Sequence, residues 1–331
     1  MNTNGEKDKI AAHAWCRAAS TLIWIALLLP MWCVAASLDK PAETAFDAQF
    51  RRTMERTGIP GGAYAIIRRD EEPRFGALGV RSLDRPDEIT PDTVFRIASL
   101  SKTFTAALVA QAVRDGTLAW DLPLSVISRH VTVSTHWRPA TLEDALGHTT
   151  GYVPYAFDTV IDGGGTFDEA LHGFERLAPI CAPGRCFAYQ NVLFNLATPA
   201  LESASGHAFR DLLQARIAQP LQMMSTTVGH DAFVAETNRA DPHIRRGEEW
   251  TSVPDPVHYD ALPAAAGVNS SARDLSKWLS AHLGAAPDVL TEKQIAAVTA
   301  ERVRMERTCF RNGGECWPTT RTMAWAGACF A

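Results

Sequence analysis

Four residues in two short strings carry groups able to do covalent chemistry together. In "FRIASLSKTFTA" Ser99 stands three residues before Lys102, and in "CFAYQNVLF" Tyr189 stands two before Asn191. A serine hydroxyl is a weak nucleophile at neutral pH. It needs a base within reach and donors aimed at the oxyanion that forms when it attacks a carbonyl. On a helix, positions i and i+3 share a face, which brings the Lys102 amine over the Ser99 hydroxyl. Burial favours the neutral amine, the form that accepts a proton. A serine in the first helical turn also contributes its own backbone N–H, one of the donors left unpaired there. In an extended segment residues two apart project to one side, so the Tyr189 phenol and the Asn191 amide can face one cleft. A phenol titrates near about pH 10, and a neighbouring lysine cation favours its ionised, basic form.

Spacing alone does not establish any of this. Ser and Lys three apart are expected about once by chance in a chain of this length, and Ser37 and Lys40 repeat the pattern. Tyr189 also reads as an ordinary half-buried tyrosine beside an asparagine that caps a helix. What separates the two Ser-x-x-Lys strings is context. From Leu100 to Val113 apolar residues occupy most positions, a helix apolar nearly all round and therefore buried, and Gly116 stands at its expected end. Ser99 opens that helix, whereas Ser37 has no such helix behind it.

Other elements must hold these groups. "GGAYAIIRRDEE" and "RFGALGVRSLD" read as adjacent antiparallel strands, preceded by a helix over about 42–57. "TLEDALGH" opens with a capping Thr and an acidic first turn. "QNVLFNLATPALESASG", "HAFRDLLQARIAQPLQ" and a segment over 271–283 ending at Gly284 continue the helical signal. Strands come first, a helical body over about 99–249 follows, and mixed structure returns from about 250.

The chain has 331 residues, 46% apolar and 21% charged, which suits one large domain or two interleaved ones. A net charge of -5 with no basic run longer than a pair gives no reason to expect a nucleic-acid partner. The partner implied is a small-molecule or peptide substrate. Residues 1–36 carry Lys7, Lys9 and Arg17 ahead of an apolar stretch ending in Val34, Ala35 and Ala36. This reads as an export signal cleaved after Ala36, or as an uncleaved membrane anchor, and places the domain over 37–331 outside the cytoplasm. In that compartment Cys181 and Cys186, flanking a Pro183-Gly184 turn, are expected to form a disulfide. Cys309, Cys316 and Cys329 lack paired spacing and nearby histidines, so no metal and no cofactor is expected.

Taken in order, "FRIASLSKTFTA", "LGHTTGY", "PGRCFAYQNVLF", "IAQPLQMMST" and "PAAAGVNSSARDLSKWL" closely resemble the penicillin-recognising serine hydrolases. The resemblance is to the branch with class C β-lactamases, D-stereospecific peptidases and related esterases, and it covers roughly residues 46–283. It implies an α/β (α+β) fold, a mixed antiparallel sheet flanked by helices with an inserted all-helical region. It also implies that Ser99 is acylated, that Lys102 and Tyr189 share the proton transfers, and that Asn191 positions lysine and substrate. His148, within "HTTG", matches a usual segment without a catalytic role.

One part of the pattern is missing. The family carries Lys or His, any residue, then Gly on a strand that supplies the other oxyanion donor. His282-Leu-Gly284 fits the string but closes a helix, so Gly284 reads as a terminator. The tail after Met305 departs from the expected closing strands. Thr322 to Phe330 can be back-translated so that a shifted frame reads Tyr-Gly-Leu-Gly-Trp-Arg-Val-Leu, which raises the expectation of a frame slip and of missing last strands. The competing expectation is a catalytically impaired relative or a binding protein for cell-wall-like ligands. A Ser-His-Asp hydrolase is disfavoured, since no G-x-S-x-G elbow occurs.

Overall fold

In the computed structural model, which describes residues 40–131, 136–305, 321–323 and 329–330, the chain divides into two units between Thr57 and Gly58. The first holds helix α1, Lys40–Thr57, in agreement with the helix expected over about 42–57. The expected export signal over 1–36 and Ser37 lie outside the described residues.

The second unit opens with Gly61–Ile66 (β1) and Arg74–Gly79 (β2), antiparallel with Ala63 opposite Ala77, and the charged residues between them form the turn. Val94–Arg96 (β3) follows and runs directly into the Ser99 turn. After it come Thr227–Val228 (β4) and an antiparallel hairpin of His243–Arg246 (β5) and Glu249–Ser252 (β6). Val268–Ser271 (β7), buried at every position, is the middle strand of an antiparallel sheet ordered β3-β7-β4. The span expected to be helical over about 99–249 therefore also contains β4 and β5.

Its principal helix is α2, Ser101–Arg114. Phe104, Ala107, Leu108 and Val109 are fully or almost fully buried, as an all-round apolar helix requires. Each large apolar side chain so buried contributes roughly 1.5–3 kcal/mol. Around α2 stand short helices, α3 (Asp158–Asp162), α4 (Phe167–His172), α5 (Ala197–Ser205), α6 (Pro263–Ala266) and α7 (Ala272–Ser280). Phe104 of α2 stacks on Trp278 of α7 with ring centroids 4.5 Å apart. The Trp278 indole N–H donates to Thr103 Oγ1 at 3.0 Å, so the bulky ring is both buried and satisfied. The helix Leu142–Leu146 is capped by Thr141 with Asp144 completing a reciprocal capping box, as its sequence predicts.

The tail, expected to lack closing strands, holds Val303–Met305 (β8), Arg321–Met323 (β9) and Cys329–Phe330 (β10), paired antiparallel in the order β10-β9-β8. None of the three carries Lys or His, any residue, then Gly. The result is the mixed α/β architecture expected, with small antiparallel sheets and a helical body between β3 and β7. Among the described residues no helix is long and apolar enough to cross a membrane.

Candidate active site

The turn that presents Ser99 is built before the helix begins. Residues Ala98–Leu100 form a single 3-10 turn and α2 starts at Ser101. Ala98 has φ 46°, left-handed backbone that a non-glycine residue adopts at a cost of order 1–3 kcal/mol. Neighbouring bonds hold it there. The Ile97 N–H donates to the Val268 carbonyl at 3.1 Å. Ser101 Oγ donates to the Ala98 carbonyl at 2.6 Å and accepts the Val268 N–H at 2.9 Å. The serine turn is thereby pinned to β7, with Ser99 exposed at its tip.

Lys102, one turn on, is fully buried. Its ammonium has three protons and meets three acceptors: Ser99 Oγ at 3.3 Å, Asn191 Oδ1 at 2.7 Å and the Ala265 carbonyl of α6 at 3.0 Å. The nitrogen also lies 4.8 Å from the ring centre of Tyr189 and 5.2 Å from that of Phe194. Burial pushes the Lys102 amine down to about 7, against the opposing pull of the Asp158 carboxylate. Near neutral pH the amine is thus divided between acid and base forms.

Tyr189 Oη donates to Ser99 Oγ at 2.8 Å. Two proton carriers therefore converge on one hydroxyl oxygen. The expectation that a lysine cation favours the phenolate is corrected here. Burial, reinforced by Tyr155 and Asp158, outweighs the hydrogen bond to Ser99 and holds the phenol above its ordinary value. Lys102 sits over the face of the ring, and Tyr189 is poised as a proton donor while Lys102 is the group able to stand neutral.

Asn191 joins this pair to a residue that sequence reasoning missed. Its Nδ2 donates to Asp158 Oδ2 at 2.8 Å while its Oδ1 accepts from Lys102. Asp158 opens α3 and is buried, which pushes its carboxyl up from the ordinary range. No periodicity or motif marks Asp158 in the sequence. The only signal is an acidic residue in an otherwise apolar string after "HTTG". The Ala265 carbonyl was likewise invisible, being a main-chain group.

His148 supports the site from beneath. Its imidazole lies against the Tyr189 ring at 4.4 Å between centroids, and its Nδ1 accepts the Gln190 N–H at 3.2 Å. Burial and the Lys102 charge push it down to about 3, so it stays neutral. That is a packing role, in keeping with the sequence reading. The "HTTG" loop is tied to the turn that follows it. Cys181 and Cys186 are joined in a disulfide. The Ile180 N–H donates to the Gly151 carbonyl at 2.7 Å, and the Gly184 N–H to the Thr149 carbonyl at 2.8 Å. Gly151 has φ 92°, and a Cβ there would lie 2.2 Å from the Cys181 carbonyl oxygen, so only glycine fits.

His282-Leu-Gly284 lies at the turn that ends the α7 segment, and Gly284 leaves helical geometry with φ 94°, as a terminator does. Among the described residues no strand presents Lys or His, any residue, then Gly.

Comparison with known proteins agrees with the fold. A solved structure titled as the octameric penicillin-binding protein homologue from Pyrococcus abyssi superposes with a TM-score of 0.73 at 22% identity, covering 87% of this chain and 64% of that one. An unguisins hydrolase of Aspergillus campestris is 28% identical over 79% of this chain and 51% of its own length. A beta-lactamase of Escherichia coli is 25% identical over 78% of this chain and 66% of its own. The chain spans about half the length of the unguisins hydrolases it matches. The family model described as Beta-lactamase matches residues 46–316, most of the sequence, and the chain belongs to the beta-lactamase family.

Proposed function

We propose that this chain is a serine hydrolase that works through an acyl-enzyme on Ser99. The observation that carries the reading is the convergence of Lys102 Nζ and Tyr189 Oη on Ser99 Oγ, at 3.3 and 2.8 Å. Neutral Lys102 takes the Ser99 proton as Oγ bonds to the substrate carbonyl carbon. The Tyr189 hydroxyl gives its proton to the departing amine or alkoxide and is reprotonated from Lys102. Water then attacks the ester, its proton passing to the same base, and Ser99 Oγ leaves with a proton restored. Asn191 fixes the Lys102 nitrogen throughout. Family membership and hydrolase-named relatives support the reaction class.

The substrates in view are a β-lactam, a D-amino-acid peptide or an ester. Relatives at similar distance carry names with different substrates, unguisins and β-lactams, which favours a broad hydrolase or esterase over a dedicated lactamase. Export is part of the proposal, since the Cys181–Cys186 bridge suits an oxidising compartment. The second reading, a catalytically impaired relative that binds cell-wall-like ligands, draws on the absence of a Lys/His-x-Gly strand among the described residues. Losing one oxyanion donor costs on the order of a hundredfold or more in rate. Labelling with a fluorophosphonate and with a fluorescent penicillin separates the two. Labelling that disappears in Ser99→Ala is expected, and folded protein that takes up neither probe sinks the hydrolase reading.

A further inference from the structure

A second cluster of reactive side chains lies in the helical body, built by elements that carry none of the Ser99 group. Helix α4 presents Asp168 and His172 four positions apart, hence on one face. Against them stands His130, a histidine 4% exposed, with its ring centre 4.0 Å from that of His172. Ligand atoms of His130, Asp168 and His172 all lie within 4.8 Å of one another. His130 Nδ1 is 2.5 Å from Glu175 Oε1. A carboxylate on Nδ1 takes that nitrogen's proton as a hydrogen bond and leaves the Nε2 lone pair as the free end.

That free end faces an oxygen. His130 Nε2 lies 3.4 Å from Asp168 Oδ1, and His172 Nδ1 lies 3.5 Å from Asp168 Oδ2. These separations are longer than the roughly 2.7–3.2 Å of an N–H···O bond. Each is close to the ligand-to-ligand edge, about 3.3–3.4 Å, of a tetrahedron with metal bonds of about 2.0–2.1 Å, with one Asp168 oxygen turned toward each histidine. Two imidazoles and a carboxylate are a donor set that suits zinc and its neighbours, and the second-shell carboxylate on one histidine is the usual companion of such ligands. Asp168 and His172 are exposed, giving an ion a way in.

We propose that His130, Asp168 and His172 bind one zinc-class divalent ion, with Glu175 orienting His130 and water completing the coordination. His172 Nδ1 also lies 2.9 Å from the Asp168 main-chain oxygen, where the metal-free ring places its proton. Binding through Nδ1 moves the neutral ring to the tautomer that carries its proton on Nε2, and the main-chain bond gives way to the metal bond. The ion ties the segment that holds His130 to α4 and to the turn Gly173–Arg176, and it stabilises the folded chain by mass action.

The test uses the full-length chain stripped of metal and titrated with Zn²⁺ and with Co²⁺. One equivalent is expected, with a rise in melting temperature and the visible absorption of tetrahedral Co²⁺. His172→Ala and Asp168→Asn change exposed side chains and should keep the fold, checked by circular dichroism, while losing the bound equivalent. Glu175→Gln should keep the stoichiometry and weaken affinity about 10–100-fold. Failure of the wild-type chain to bind either ion overturns the proposal. So does binding that is unchanged in His172→Ala, which assigns the ion to other groups, such as the cysteines of the tail.

Discussion

Lys102 donates its shortest hydrogen bond, 2.7 Å, to the side-chain oxygen of Asn191, 89 residues further along the chain. The same amide passes the contact on to Asp158 through its nitrogen. A buried cation and a buried carboxyl are thus held apart by one amide that bonds to both. In the proposed reaction Asp158 acts through Lys102 without touching Ser99, as a positioning residue.

The first prediction is a pH profile. Lys102 accepts a proton only when neutral, so the rate of Ser99 acylation should climb as pH rises through about 7. The Asp158 charge opposes the burial effect on Lys102. Asp158→Asn keeps an acceptor for the Asn191 amide and removes that charge, so the rising limb should move to lower pH. Second-order labelling rates across pH read it directly, and an unmoved midpoint removes Asp158 from the circuit.

A second concerns stability. The amine falls from 10.5 to about 7 on folding, so between these values the unfolded chain binds more protons than the folded one. Stability therefore rises with pH across that window, at up to about 1.4 kcal/mol per pH unit for one proton. The burial cost is fully present below about pH 7. In Lys102→Met this part of the slope should vanish, as urea midpoints between pH 7 and 10 will show. A slope identical to wild type contradicts a buried, neutral lysine.

Removing single partners of Ser99 should separate proton transfer from packing. Tyr189→Phe deletes the donor at 2.8 Å but keeps the ring over His148. Acylation should fall about 10²–10⁴-fold with little change in melting temperature. Asn191→Ala strips Lys102 and Asp158 of their shared partner, and should lose activity together with about 1–3 kcal/mol of stability.

Gly151→Ala tests the loop that backs the site. The new methyl would meet the Cys181 carbonyl at 2.2 Å in a backbone of φ 92°. Left-handed backbone alone costs roughly 1–2 kcal/mol for a side-chain-bearing residue, and the clash adds to it. A clear drop in melting temperature is expected, with Tyr189 displaced and labelling slowed. A variant as stable as wild type would mean the two loops separate freely.

What could be read from the sequence was local. The i, i+3 geometry brings Lys102 to Ser99 whatever surrounds the helix, and an apolar sequence buries α2. Thr141 and Asp144 cap their helix within four residues, Pro183-Gly184 turns between two cysteines, and Gly284 ends α7. Each depends on bonds that close within a turn or two of chain. The remaining features belong to tertiary structure. Asp158, by way of Asn191, and the Ala265 carbonyl are joined to Lys102 across long stretches of chain that no spacing rule spans. The direction of the Tyr189 shift depends on how deeply the ring is buried and which face meets the lysine, and neither is encoded in Tyr-x-Asn. The metal-like geometry of His130, Asp168 and His172 arises only when a buried loop histidine is packed onto α4. Residue types and short spacings supply the reactive groups, whereas burial and long-range distance decide their protonation and partners, because desolvation and Coulomb interactions act through space and not along the chain.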